Sequence, residues 1–154
     1  MRTVRDANDD RRYLLLESAG ESSLVRDPET GERRRLPSDR LESVPDDPPL
    51  ATAAAAVPEP VRRVLTAVHD DRSLGLLLEI DARSPVDVPA LAAAADLCES
   101  DLNGLVGEFR AAGLIEATEV AGVRGYETTA VASEGLAALA DRSGRAPPDP
   151  TDGD

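Results

Sequence analysis

Lysine and tryptophan are absent from this 154-residue chain, and only 2% of it is aromatic, namely Tyr13, Phe109 and Tyr126. Every one of the 17 basic residues is therefore arginine, set against 30 acidic residues for a net charge of −13. With so few rings the core must be built from Ala, Val and Leu. A single cysteine, Cys98, excludes an intrachain disulfide, and with His69 as the one histidine it removes the usual Cys/His zinc cages; that leaves only a purely carboxylate set as an alternative, and no metal site is expected. No apolar run approaches the ~20 residues that span a bilayer. The first residues run from Met1 to Asp6 into Asn8-Asp9-Asp10 rather than into an apolar segment, so no secretory signal is expected and the chain reads as cytoplasmic, away from membranes. A Gly-rich phosphate loop is missing, as is any Ser-His-Asp ordering with a histidine to spare, so neither an enzyme nor a bound cofactor is expected.

The same arithmetic says something positive. A sequence pI near 4.4 is too acidic for an ordinary nucleic-acid binder in dilute salt. An acidic surface, a Lys-free basic complement and a small aliphatic core together point to a halophilic protein. At ~1 M salt the Debye length shrinks to about 3 Å and long-range repulsion fades.

Along the chain the pattern is first that of strands. Arg12 to Glu17 is a strand-length apolar run ending at the turn Ser18-Ala19-Gly20, Ser22 to Arg26 is a second, and Glu32 to Leu36 returns after Asp27-Pro28-Glu29-Thr30-Gly31, which is hairpin-loop chemistry. Residues 1–36 are thus expected to hold a small antiparallel β meander, and 37–57 a Pro-rich connector with helical turns near 38–44 and 50–57. The period then becomes helical. Val61, Val64, Leu65 and Val68 share one face, and Leu74 to Ile80 is apolar on most sides, which predicts a centrally buried helix. Asp87 is placed to cap a helix through Ala95, and after the tight turn Asp96-Leu97-Cys98 a second helix carries Leu102, Leu105, Val106 and Phe109 on one face. Gly113 suits a left-handed helix end with Leu114 folding back towards Phe109. Residues 114–120 and 124–129 read as a hairpin, a last helix spans about 131–141, and 143–154 read as a disordered acidic tail. The fold class expected is α+β, a winged helix-turn-helix domain over 58–142 behind the meander.

The wording of the sequence agrees with that order. Leu97-Cys98-Glu99-Ser100-Asp101-Leu102 followed by Phe109 to Ile115 resembles the recognition-helix segment of ArsR- and MarR-like bacterial and archaeal regulators, and Tyr126-Glu127-Thr128-Thr129 before Gly135 resembles the strand leaving their wing. The whole chain also resembles an uncharacterised family from halophilic archaea that carries this domain behind a short N-terminal β region. The resemblance implies a DNA-binding transcriptional regulator, a homodimer through segments flanking the domain, with double-stranded DNA as partner.

The candidate DNA-binding residues are then Ser100, Asn103, Gly104, Gly107 and Arg110 on the second helix and Arg124 in the wing. Their setting departs from those families. Opposite the apolar face stand Ser100, Gly104, Gly107 and Ala111, and between Glu99 and Ala112 three acids (Glu99, Asp101, Glu108) face Arg110 alone. A strip of small residues equally suits a partner helix, which makes a protein–protein interaction module the alternative function, or a crowded contact within the chain. Cys98 occupies a helix-capping position that favours a reactive thiol, though a free cysteine more commonly serves as a small apolar residue. His69 suits a helix C-terminal end. Arg33-Arg34-Arg35 is a secondary basic patch, or else a strand edge paired with Glu17, Glu21 and Glu32.

Overall fold

A computed structural model describes residues 1–141, which divide into two units, Met1–Glu59 and the chain from Pro60 onward. The tail expected over 143–154 lies outside the described residues.

The first unit is an antiparallel sheet of five strands rather than three. They are β1 (Arg2–Asp6), β2 (Arg12–Ala19), β3 (Ser22–Arg26), β4 (Arg33–Pro37) and β5 (Leu41–Ser43), in the order β4-β3-β2-β1-β5. The meander read from the sequence is β2 to β4. Both added strands are short and polar, so neither announces itself by apolar alternation. The stretch read as an irregular connector begins with a 3-10 turn at Ser38–Arg40, contributes β5 to the sheet and ends in the helix α1 (Pro49–Ala54). One sheet face buries Val4, Tyr13, Leu15 and Val25, and the other buries Thr3 and Leu14. Helix α1 packs on β1 and β2, where the hydroxyls of Thr3 and Thr52 lie 2.7 Å apart.

Two carboxylates are buried in this unit, and each is fully partnered, as a buried charge must be. Asp6 accepts from Arg40 Nη2 at 2.6 Å and from the Asn8 N–H at 3.0 Å. Asp27 accepts the N–H groups of Glu29 and Thr30 and Arg11 Nη2 at 3.0 Å, which folds the loop that Gly31 closes at φ +74°.

The second unit runs α2 (Glu59–Ala67), α3 (Asp71–Arg83), β6 (Val86–Asp87), α4 (Val88–Ala95), α5 (Glu99–Ala111), β7 (Ile115–Val120), β8 (Val123–Thr128) and α6 (Ala130–Ala140). Its small sheet has the order β6-β8-β7. Two helices joined by a three-residue turn, then a hairpin and a closing helix, make this a winged helix-turn-helix. The core is aliphatic around two rings: Val64, Leu77, Ile80, Leu91, Leu102, Leu114 and Leu136 cluster with Phe109 and Tyr126.

Local chemistry sets several of these boundaries. Asp70 and Ser73 form a reciprocal capping box at the start of α3, Asp87 Oδ1 accepts the Ala90 N–H at 2.8 Å for α4, and Thr129 Oγ1 accepts the Ala132 N–H for α6. Helix α5 ends in a Schellman motif, with the Leu114 N–H on the Phe109 carbonyl, the Gly113 N–H on the Arg110 carbonyl and Gly113 at φ +72°. Two expectations are corrected. Helix α3 is not buried all round, since Leu78 is 40% exposed, and Leu105 is only half-buried, leaving Leu102, Val106 and Phe109 to anchor α5. Both residues stand at the margin of an apolar face, where periodicity alone does not separate edge from centre.

Candidate nucleic-acid interface

The exposed side of α5 is set by what its other side buries. With Leu102, Val106 and Phe109 inward, Ser100, Gly104, Gly107 and Ala111 point outward, and all four are exposed. A Cβ built on Gly104 or Gly107 meets no atom of the described residues within 4 Å. The crowded contact considered above for these glycines is therefore not what they answer to.

Polar groups flank this bare strip unequally. Asn103 and Arg110 lie on one side, with Glu99 at the N-terminal end of the same flank. Asp101 and Glu108, seven residues apart, lie on the other, and both meet a nitrogen-bearing side chain from outside the helix. Arg72 Nη2 on α3 stands 2.9 Å from Asp101 Oδ2, and His69 Nε2 stands 3.7 Å from Glu108 Oε2. The hydrogen bond from Arg72, with a lesser one from Cys98, holds the Asp101 carboxyl below the usual carboxylate range. Sequence reasoning missed both partners, because each lies far along the chain from its acid. His69 does not close a helix with its side chain; instead its N–H donates to Ser73 Oγ at 3.1 Å.

Cys98 is the N-cap of α5, but its side chain caps nothing. The thiol is exposed, with Sγ 3.4 Å from Ser100 Oγ. Ser100 is thus the one candidate on α5 with a side-chain partner among the described residues.

Arg124 belongs to the wing, on β8, exposed and directly opposite Glu119 on β7. Its guanidinium carbon lies 5.9 Å from the centre of the Tyr126 ring, a contact that steadies a long side chain. The wing turns at Ala121-Gly122, with both residues at positive φ, +50° and +79°. Among the described residues no group of three or more His, Cys, Asp or Glu is placed to hold a metal ion, and no helix is long and apolar enough to cross a membrane.

The arginine run in the first unit is divided by the pleat. Arg34 turns inward to Tyr13, donating to its hydroxyl at 3.0 Å with its guanidinium 5.0 Å from the ring centre, and lies 3.6 Å from Asp27. Arg33 and Arg35 point to the opposite face and are exposed. None of Glu17, Glu21 or Glu32 pairs with them among the described residues.

Compared with known proteins, residues 1–140 match the family described as "Family of unknown function (DUF7346)". No curated protein matches the chain. Among solved structures, HlyU from Vibrio cholerae N16961 is similar at 21% identity and a TM-score of 0.43, over 53% of this chain and 91% of that one. Reduced HlyU from the same organism gives 22%, 0.43, 53% and 88%. An ArsR family transcriptional regulator gives 19% identity and a TM-score of 0.41, over 54% of this chain and 84% of that one.

Proposed function

The chain belongs to this family of unknown function, and we propose that it is a cytoplasmic transcriptional regulator that binds double-stranded DNA through α5 and the wing. The observation that carries the reading is the bare outer strip of α5. Each glycine inside a helix costs about 0.5–1 kcal/mol relative to alanine, and among the described residues Gly104 and Gly107 meet nothing that would demand so small a residue. A surface that must be approached closely by a phosphate backbone or a base edge supplies the demand.

In this reading Asn103 and Arg110 offer donors to base edges and phosphates, Ser100 bonds a phosphate, and Arg124 holds the wing to the backbone. Arg72 takes up the charge of Asp101, so the flank of α5 next to α3 repels a duplex less than a count of charges implies. The protein acts as a homodimer. The surface that supports this is an apolar hollow between α2, α3 and α6, where Leu65, Leu78 and Leu139 are 55%, 40% and 46% exposed.

Fluorescence anisotropy with genomic duplex fragments in molar KCl tests the reading. Asn103→Ala is expected to relax sequence preference, at about 1–3 kcal/mol for the base it contacts. Arg124→Ala is expected to weaken binding on all sequences alike. A folded sample that binds no fragment across the KCl range would leave the second reading, a protein-interaction module. That alternative is favoured by the acid excess of α5, and it expects Gly104→Leu to abolish a complex with a partner helix.

A further inference from the structure

Most arginines of the first unit reach a carboxylate: Arg5 pairs with Asp10 and Glu42, Arg11 with Asp27, Arg12 with Asp47, Arg34 with Asp27 and Arg40 with Asp6. Arg26, Arg33 and Arg35 form no ion pair among the described residues, and the strand register places them together. Arg26 on β3 is directly opposite Arg33 on β4, while Arg35 is opposite Leu24. Cross-strand partners share a face, and so do residues two apart in a strand. The three guanidinium groups therefore stand on one face of β3 and β4, the same face on which α1 covers Leu14.

Like charges directly opposite in a sheet are destabilising. Among the described residues no ion pair offsets them, in a chain whose acids outnumber its bases 30 to 17. Arg26 is half-buried, so water screens its repulsion from Arg33 only in part. Between these strands and α1 runs a groove of about 450 Å³, lined by Arg26, Arg33, Thr30 and the small side chains of Ala53 and Ala56. Glu29 also lines it, and Glu17 lies on the same face beyond Leu24; neither comes within ion-pair distance of the three arginines.

We propose that Arg26, Arg33 and Arg35 form a second anion-binding surface, whose ligand is the phosphodiester backbone of a nucleic acid. Each guanidinium presents a donor fork that matches a phosphate. Arg26 and Arg33 face each other across strands, and Arg35 follows at about 6.7 Å along β4, a spacing comparable to that of successive phosphates on one strand. A row of phosphates satisfies all three at once, which a single small anion does not. A lipid surface is the poorer fit, since the groove lining exposes no large apolar side chain to enter it. The inference rests on the reading above only for the identity of the polyanion. It does not pass through α5.

The test uses the full chain and mixed-sequence duplex DNA in a KCl series, with phosphatidylglycerol vesicles in parallel. For Arg26→Gln/Arg33→Gln/Arg35→Gln the expected result is weaker binding to every sequence, with the slope of log affinity against log salt reduced by about 2–3, since each phosphate neutralised contributes ~0.9. Sequence preference is expected to survive. The thermal midpoint is expected to hold or rise, because the repulsion is gone. The matching triple Lys variant, which keeps the charge, is expected to retain most of the slope. If the Gln variant does not fold, Arg35→Gln alone is expected to lower the slope by about 1. An unchanged slope and affinity in the folded triple variant overturns the proposal, as does a loss confined to vesicles. Should the triple variant match wild type while Asn103→Ala loses preference, this surface is refuted and the α5 reading stands. The reverse pattern supports this surface and refutes the α5 assignment.

Discussion

A Cβ on Gly135 would stand 2.3 Å from the carbonyl oxygen of Pro60 and 3.0 Å from Val64 Cγ2, so α6 crosses α2 with backbone in place of a side chain. Alanine normally stabilises a helix interior relative to glycine. Here the sign reverses: Gly135→Ala is expected to cost about 1–3 kcal/mol by forcing the helices apart. Gly104→Ala and Gly107→Ala, with open space around them, are each expected to gain about 0.5–1 kcal/mol. Denaturant titration of the three variants checks the contrast.

The wing turn holds a non-glycine residue where glycine or asparagine is favoured. Val120 pairs with Val123, leaving Ala121 and Gly122 as a two-residue loop, and Ala121 sits at φ +50°. Ala121→Asn keeps the turn and is expected to raise stability by about 0.5–1 kcal/mol, because asparagine tolerates the left-handed region better than alanine. Calorimetry of the variant decides it.

Asp101 depends on Arg72 for its low-lying carboxyl. In Arg72→Ala its titration, followed by carboxyl-detected NMR, is expected to move up towards the ordinary range. The same variant is expected to bind DNA more weakly although no DNA contact is removed, since the acid on α5 is left without its cation. Unchanged titration would mean that the Arg72–Asp101 pair does not persist in solution.

For Asp6, burial alone would raise the carboxyl. The Asn8 N–H and the Arg40 guanidinium outweigh it and hold the group below its ordinary value. A depressed carboxyl contributes stability at pH values above its unfolded pKa, about 3.9, and that contribution is lost as pH falls through the lower folded value. Asp6→Asn is expected to lose about 2 kcal/mol at neutral pH and to flatten the acid limb of stability below about pH 4. An acid limb as steep as that of wild type would show that other carboxylates govern it.

The winged helix unit was legible because its large apolar residues recur at helical spacing and its boundaries carry their own chemistry, from Asp70 and Asp87 to Gly113. The first unit was legible only where strands were long. β1 offers Thr3 and Val4 between Arg2 and Arg5, and β5 offers Leu41 alone, so their place in the sheet comes from pairing and not from pattern. Charge is the least legible feature. Counting acids along α5 cannot show that Arg72, 29 residues away, lies against Asp101, and treating residues 33–35 as one patch ignored the period of two that turns Arg34 inward to Tyr13.

One threonine ties the end of one helix of the winged helix to the start of another. Thr129 Oγ1 donates to the Gly113 carbonyl at 2.8 Å, where α5 ends, and accepts the Ala132 N–H, where α6 begins, while the Thr129 N–H holds the Leu114 carbonyl at 3.0 Å. The end of α5 and the start of α6 thus turn about a common pin. A dimer partner gripping α6 at Leu139 would hold the far arm of that lever, and a small swing there would tilt α5 at its inner end. The tilt of α5 is thereby tied to whatever occupies the opposite side of the domain.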